Sequence, residues 1–241
     1  IKKAKIRGEE SFGMICAEDE IGIGTSHDGI IVLPPNAKVG MPAKEYYQVE
    51  TDYVLEVDIT PNRSDATSHY GVARDLAAYL KQTEKPFKLT KPSVDEFKID
   101  KKEGGIDVVV ENTEACPRYS GLTIRGVEVK ESPAWLKNRL MAIGLRPINN
   151  IVDITNFVMY EIGQPMHAFD AAHITGNKII VRTLPDKTKF ITLDGQKCEL
   201  NDKDLMICNE EEGMCIAGVF GGLKSGVTEN TKDIFLESAY F

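Results

Sequence analysis

Glu237 follows Ile234, Phe235 and Leu236, so it stands at the end of an apolar, strand-like run. A carboxylate in that setting can accept a hydroxyl proton in a charge-assisted bond. The plainer alternative is a strand-end group that faces water or pairs with a lysine. His167 lies in Gln164-Pro165-Met166-His167-Ala168-Phe169-Asp170, in a loop just past an expected helix end. A neutral imidazole there can orient a water molecule, or it can make a structural bond to Asp170. Arg146 sits in a turn between two expected helices, where a guanidinium can reach a phosphate or an ester carbonyl. Thr155 and Asn156 fall inside the second of those helices. Polar residues are mildly unfavourable in a helix interior, which argues for a purpose. Gly221 and Gly222 allow a backbone to approach a ligand closely, or form an ordinary turn.

Several chemistries are excluded by spacing. In Gly218-Val219-Phe220-Gly221-Gly222-Leu223-Lys224-Ser225, Leu223 separates the glycines from the lysine, so the phosphate-loop pattern fails. Gly22-Ile23-Gly24 lacks the third glycine of a dinucleotide fingerprint. There is no GxSxG elbow and no Cys–His pair with a recognised local signature, which argues against an independent ester hydrolase. A zinc site built from Cys198, Cys208 and Cys215 with His167 or His173 would have the wrong spacing, so no metal site is expected.

The elements that must position these residues follow from periodicity. Residues 11–16, 21–24 and 29–33 read as short strands, the last two separated by the turn Thr25–Asp28. Residues 53–59 alternate like a strand. The turn Thr60–Asp65 carries helix-capping residues, and a helix follows to about Gln82 with Val72, Ala73, Leu76, Ala77 and Leu80 as its buried face. Residues 84–105 are rich in Lys, Pro, Glu and Gly and read as a linker, with a domain boundary near 95. Strands are expected at 106–110 and 119–129. Ser132, with Pro133 after it, caps a helix that ends before Gly144. Asn149 or Asn150 caps a second helix that ends before Gly163, its apolar face being Ile151, Ile154, Val158 and Ile162. Further strands are expected at 178–183, 189–192, 205–208, 214–219 and 233–237, with Asp194-Gly195 as a turn. Strands, a helix pair and strands again define an α+β fold.

Composition narrows the class. At 42% hydrophobic and 27% charged residues, the chain can build an ordinary globular core. The net charge of −8 means that a nucleic-acid partner would need phosphate neutralisation from a local patch or from another chain. The five cysteines are odd in number and irregularly spaced, which suits reduced thiols and a cytosolic compartment. No apolar run approaches the roughly 20 residues of a membrane span, and no signal peptide is visible. The chain starts at Ile1 and stops at Phe241, and both ends look cut from something longer.

Several stretches together carry a family resemblance. Residues 56–75 read EVDITPNRSDATSHYGVARD, 144–170 read GLRPINNIVDITNFVMYEIGQPMHAFD, 192–195 read TLDG, 217–222 read AGVFGG and 236–241 read LESAYF. In this order they closely resemble the β subunit of bacterial-type phenylalanyl-tRNA synthetases, over essentially the whole chain. The resemblance implies that residues 1–45 are the tail of an OB-fold tRNA-binding-like domain. Residues 46–95 would be part of the small supporting (B1-like) domain. Residues 96–241 would be most of a mixed α/β B3/B4 editing domain that continues beyond the last residue. It further implies an α2β2 enzyme in the cytoplasm that charges tRNA(Phe) using ATP and Mg2+ bound by the α subunit, with no cofactor in this segment.

The same resemblance assigns roles. Glu237 matches the glutamate that recognises the tyrosine hydroxyl, and His167 matches an editing-site histidine that contacts the terminal ribose or positions water. Thr155 and Asn156 match positions lining the pocket. The physical logic is that an apolar pocket rejects an added hydroxyl weakly, by about a hundredfold. A second, hydrolytic site can instead offer a buried polar group that tyrosine satisfies and phenylalanine leaves unpaired, at roughly 1–3 kcal/mol. The rival expectation is a non-catalytic scaffold and tRNA-docking surface for the α subunit. Convergence of Arg146, His167, Gly221 and Glu237 on one pocket favours editing, and their dispersal favours the scaffold.

Overall fold

A computed structural model describes residues 3–24, 26–49 and 51–241. The chain separates into two compact units, Ile1–Tyr53 and Val54–Phe241. The linker-like stretch 84–105 lies inside the second unit and carries no helix or strand.

In the first unit, β1 (Ala4–Ile6) and β2 (Glu9–Ser11) form an antiparallel hairpin. Arg7 and Gly8 turn it at φ 51° and 93°, the left-handed backbone that a two-residue hairpin turn needs. A 3-10 turn at Asp19–Ile21 and the single helical turn α1 (Ala43–Tyr46) follow. The strands expected at 11–16, 21–24 and 29–33 do not form beyond Ser11. Phe12, Met14, Ile15, Ile30 and Val32 are all exposed. Short apolar runs become strands only where a neighbour takes their hydrogen bonds, and no described strand pairs with these runs. Thr25, in the expected turn, lies outside them.

The strand expected at 53–59 is also absent, and Val54, Leu55 and Val57 at the start of the second unit are exposed. The helix α2 (His69–Gln82) starts later than the turn at Thr60–Asp65. Its cap is Ser68, whose hydroxyl accepts the Gly71 N–H at 3.0 Å. Its buried face is narrower than the periodicity implies: Gly71 and Ala77 are buried, whereas Leu76 is exposed.

The remaining elements are β3 (Asp107–Val110), β4 (Arg118–Arg125), α3 (Ala134–Ala142), α4 (Asn150–Ile162), β5 (His167–Asp170), β6 (Lys178–Thr183), β7 (Lys189–Ile191), β8 (Lys197–Glu199), β9 (Leu205–Cys208), β10 (Gly213–Ile216), β11 (Phe220–Gly221) and β12 (Asp233–Tyr240). They form a five-stranded sheet in the order β11-β10-β9-β6-β3 and a three-stranded antiparallel sheet β4-β12-β5. In the larger sheet only β3 and β6 run parallel. Asp194-Gly195 turns the small β7–β8 hairpin, with Gly195 at φ 80°. Phe169 and Phe235 of the smaller sheet pack with Ile179, Val181, Ile207 and Met214 of the larger one as the main core. The architecture is α+β, as the element order predicts. Among the described residues no helix is long and apolar enough to cross a membrane.

The helix pair differs from its expected form at two points. Ser132 does not cap α3; its hydroxyl is buried and donates to Asp153 Oδ2 at 2.5 Å. In α4 the expected apolar face is not the buried one, because Ile154 and Ile162 are exposed while Asp153 and Thr155 are buried. Asp153 tolerates burial because its second oxygen accepts the Ile148 N–H at 2.9 Å. One carboxylate therefore ties the entry to α3 to the turn that leads into α4. The caps of α4 are as expected. Asn149 accepts from the N–H groups of Ile151 and Val152, and Gly163 closes the helix at φ 82°. Asn150 instead holds the neighbouring backbone at Glu128 and Lys130.

Asp153→Ala removes both bonds and leaves a buried hydroxyl and amide without their acceptor. A loss of about 3 kcal/mol is expected in a chemical denaturation midpoint series, well above that of a surface Asp→Ala control such as Asp186.

Candidate functional site

The left-handed Gly163 stops α4 and turns the chain back toward the smaller sheet. Gln164 then anchors the connection, its amide nitrogen donating to Pro165 O at 2.9 Å and to Ala239 O on β12 at 3.2 Å. From there the chain enters β5, so His167 lies in a strand and not in the expected loop. β12 runs between β5 and β4, and Glu237 pairs with His167 on one side and Gly121 on the other. Glu237 is thus central in an eight-residue strand, not at its end.

Strand alternation puts Phe235, Glu237, Tyr119, Phe169 and His167 on one face. Gly121, opposite Glu237, has no side chain to fill that face. A Cβ there would come within 2.1 Å of the Phe235 ring. The Phe235 ring occupies the space above Gly121, and Tyr119, two residues back along β4, reaches Glu237 on the diagonal. The Tyr119 and Phe235 rings stack with centroids 6.5 Å apart, and the Tyr119 hydroxyl donates to Glu237 Oε2 at 2.7 Å.

Burial dominates the electrostatics. Glu237 is only 6% exposed. Desolvation pushes its carboxyl up to about 7, and the Tyr119 bond holds it back part of the way. The Tyr119 phenol is itself raised, first by burial and then by the Glu237 charge. Burial lowers His167, so its imidazole is neutral near pH 7. The water-facing and lysine-paired alternatives for Glu237 are overturned, since its carboxylate is buried on a tyrosine. The structural bond from His167 to Asp170 is overturned as well. Asp170 accepts from Ala172 N and Thr231 Oγ1, and His167 Nε2 is buried with no hydrogen-bond partner among the described residues.

The larger sheet supplies the facing wall. Cys215 on β10 pairs with Gly221 on β11. A Cβ on Gly221 would sit 3.0 Å from His167 Cε1 and 3.3 Å from Nε2, so glycine is what admits the imidazole. His167, Cys215, Gly221, Glu237 and Gln164, with Phe241, line a cavity of about 600 Å³, a size suited to a small ligand or a ligand's terminal group. The Cys215 thiol is raised by burial first and the Glu237 charge second, which keeps it protonated.

The other expected site residues lie elsewhere. Arg146 is exposed in the α3–α4 turn and does not line this cavity. Thr155 is buried and turns its hydroxyl back onto Val152 O at 2.7 Å. Asn156, half-buried beside it, is also outside the lining. Gly222 borders a separate cavity of about 460 Å³, where a Cβ would meet Met214 O at 2.6 Å. Tyr119, Cys215 and Gln164 were not foreseen as site residues. Tyr119 and Glu237 are 118 positions apart, and no local spacing links them. No cluster of three or more metal-ligating side chains occurs among the described residues.

The B3/4 domain model matches residues 115–241, more than half of the sequence, and the chain belongs to that family. Over its whole length it is 67% identical to the phenylalanine–tRNA ligase beta subunit of Bacteroides fragilis and 63% identical to that of Porphyromonas gingivalis. The resemblance carried by the sequence motifs is thereby borne out. The chain spans 29% of the length of each of these relatives. The solved N-terminal fragment of the phenylalanyl-tRNA synthetase beta-subunit from Pyrococcus horikoshii aligns at a TM-score of 0.45 and 16% identity, covering 74% of this chain and 52% of that one.

Two outcomes follow from the geometry. Gly121→Ala drives a methyl into the Phe235 ring and is expected to destabilise the fold by about 1–3 kcal/mol, measured by thermal or urea denaturation. The Glu237 carboxyl titrates near 7 in the folded chain, above its ordinary 4.5. The folded state therefore holds this proton more tightly than the unfolded state. Its contribution is fully present below about 4.5 and is lost as pH rises to about 7, on the order of 3 kcal/mol at most. Urea midpoints at about pH 4.5 and pH 8 should differ less in Glu237→Gln than in wild type.

Proposed function

We propose that this chain is the editing segment of a phenylalanine–tRNA ligase beta subunit and hydrolyses the ester of tRNA(Phe) mischarged with tyrosine. Residues 96–241 form the editing domain, residues 46–95 support it, and residues 1–45 are the tail of an OB-fold. The observation that carries this is the buried carboxylate of Glu237 beside the unpartnered imidazole of His167 at one cavity. The family and the identity of the relatives favour the ligase setting. In that setting an α subunit binds ATP and Mg2+ and forms the ester, in the cytoplasm, as part of an α2β2 assembly.

The chemistry divides between the two ends of the ligand. A tyrosyl hydroxyl entering the cavity donates to Glu237, whereas phenylalanine leaves that acceptor desolvated and unpaired. His167 faces Glu237 directly across the strand pair, so it works near the ring end of the ligand. It orients ligand or water through Nε2 and does not serve as the base at the ester. Water attack at the carbonyl then draws on the terminal ribose hydroxyl and an ordered water. Gly221 keeps the imidazole free of a clash, and Arg146, Asn156 and Gly222 contact parts of the tRNA or ligand beyond this cavity, whereas Thr155, buried with its hydroxyl on Val152 O, serves α4 itself.

In the assembled ligase, wild type should clear tyrosyl-tRNA(Phe) in preference to phenylalanyl-tRNA(Phe). Glu237→Ala should lower that preference by about tenfold or more, with charging of phenylalanine unchanged. If wild type and variant both leave the tyrosyl ester intact while charging phenylalanine, the segment is a scaffold and docking surface for the α subunit.

A further inference from the structure

We infer that Tyr119 is a specificity-determining positioning residue: its phenol fills one oxygen of Glu237 and leaves the other as the sole acceptor for a ligand hydroxyl. This rests on the editing function proposed above.

The geometry carries the inference. Glu237 lines the cavity and Tyr119 does not, so the carboxylate bridges the cavity and the space behind it. Oε2 takes the Tyr119 proton at 2.7 Å, and Oε1 takes no hydrogen bond from any described residue. The phenol–carboxylate pair inside the protein has the same chemistry as the pair a tyrosyl ligand would make on the other oxygen. A carboxylate with one oxygen bound cannot swing away, because Tyr119 is itself locked by stacking on Phe235 over Gly121. The acceptor is thereby fixed in direction before the ligand arrives, which reduces the ordering cost of binding.

Charge follows from the same contact. The ionisable groups around Glu237 are Tyr119 and Cys116 on the β4 side, His167 on β5 and Cys215 on β10. His167 is neutral and both thiols are protonated near pH 7, and no cation is among them. Tyr119 is the one neighbour that favours the ionised carboxylate by donating to it. Without that bond a smaller fraction of Glu237 is ionised at neutral pH, and the charge-assisted contact with a ligand phenol weakens.

The test uses the assembled ligase with Tyr119→Phe, which keeps the ring and its stack, and with 2,3-difluorotyrosine at position 119, a stronger donor. Hydrolysis of tyrosyl- and phenylalanyl-tRNA(Phe) is followed against pH. Tyr119→Phe should move the tyrosyl-ester profile up by about one pH unit and cut the neutral-pH preference for tyrosine about tenfold. The fluorinated residue should move the profile down. A selective wild type whose profile is unmoved by both changes overturns the role of Tyr119 and leaves editing standing. A wild type with no preference for tyrosine overturns both. If Tyr119→Phe fails to fold, the direction of the fluorotyrosine shift decides alone.

Discussion

Placing a carboxylate among aromatic rings and thiols costs several kcal/mol unless something inside the protein replaces water. Here the replacement is one phenol. The Glu237–Tyr119 bond goes with the residues around it: a glycine at 121 that makes room for the Phe235 ring, Phe235 as the ring on which Tyr119 stacks, and β12 as the middle strand between β4 and β5. The compensation is incomplete, and a carboxyl that titrates near neutrality is the result. A fully compensated acid would make a quieter core and a poorer acceptor, since an acceptor already satisfied gains nothing from a ligand.

Asp153 shows the opposite arrangement in the same molecule. It is equally buried, but both of its oxygens are taken by Ser132 and the Ile148 amide. Nothing is left over for a ligand, and the residue serves the joint between α3 and α4. The two acids differ less in burial than in the number of donors supplied, and that number separates a structural carboxylate from one available for recognition.

Much of the fold was legible in the sequence because it is locally encoded. α4 announces itself through Asn149 and Gly163, and β6 and β9 through short apolar runs of the right length. What stayed hidden depends on distant partners. The stretch His167–Asp170 reads as a loop until β12 supplies its hydrogen bonds. The runs in the first unit read as strands, yet no edge among the described residues pairs with them. The buried face of α4 departs from its apolar periodicity because Asp153, with two donors, buries more completely than Ile154. Motif resemblance singles out Glu237 and His167, which line one cavity; it does not single out Tyr119, because a contact across 118 residues leaves no trace in spacing.

The order of the strands bears on how the protein is made. β4 and β5 are not sheet neighbours; among the described strands each pairs with β12, and β5 adds one isolated bridge from Phe169 to Gly226. A ribosome that has released β4, both helices and β5 has therefore produced two strands with unfilled edges and a tyrosine with no acid to bind. The cavity comes into being only as β12 threads between them. A nascent chain thus lacks the cavity until this region of the polypeptide is out of the exit tunnel. Its two waiting edges are the points at which a chaperone, or a neighbouring nascent chain, competes with β12.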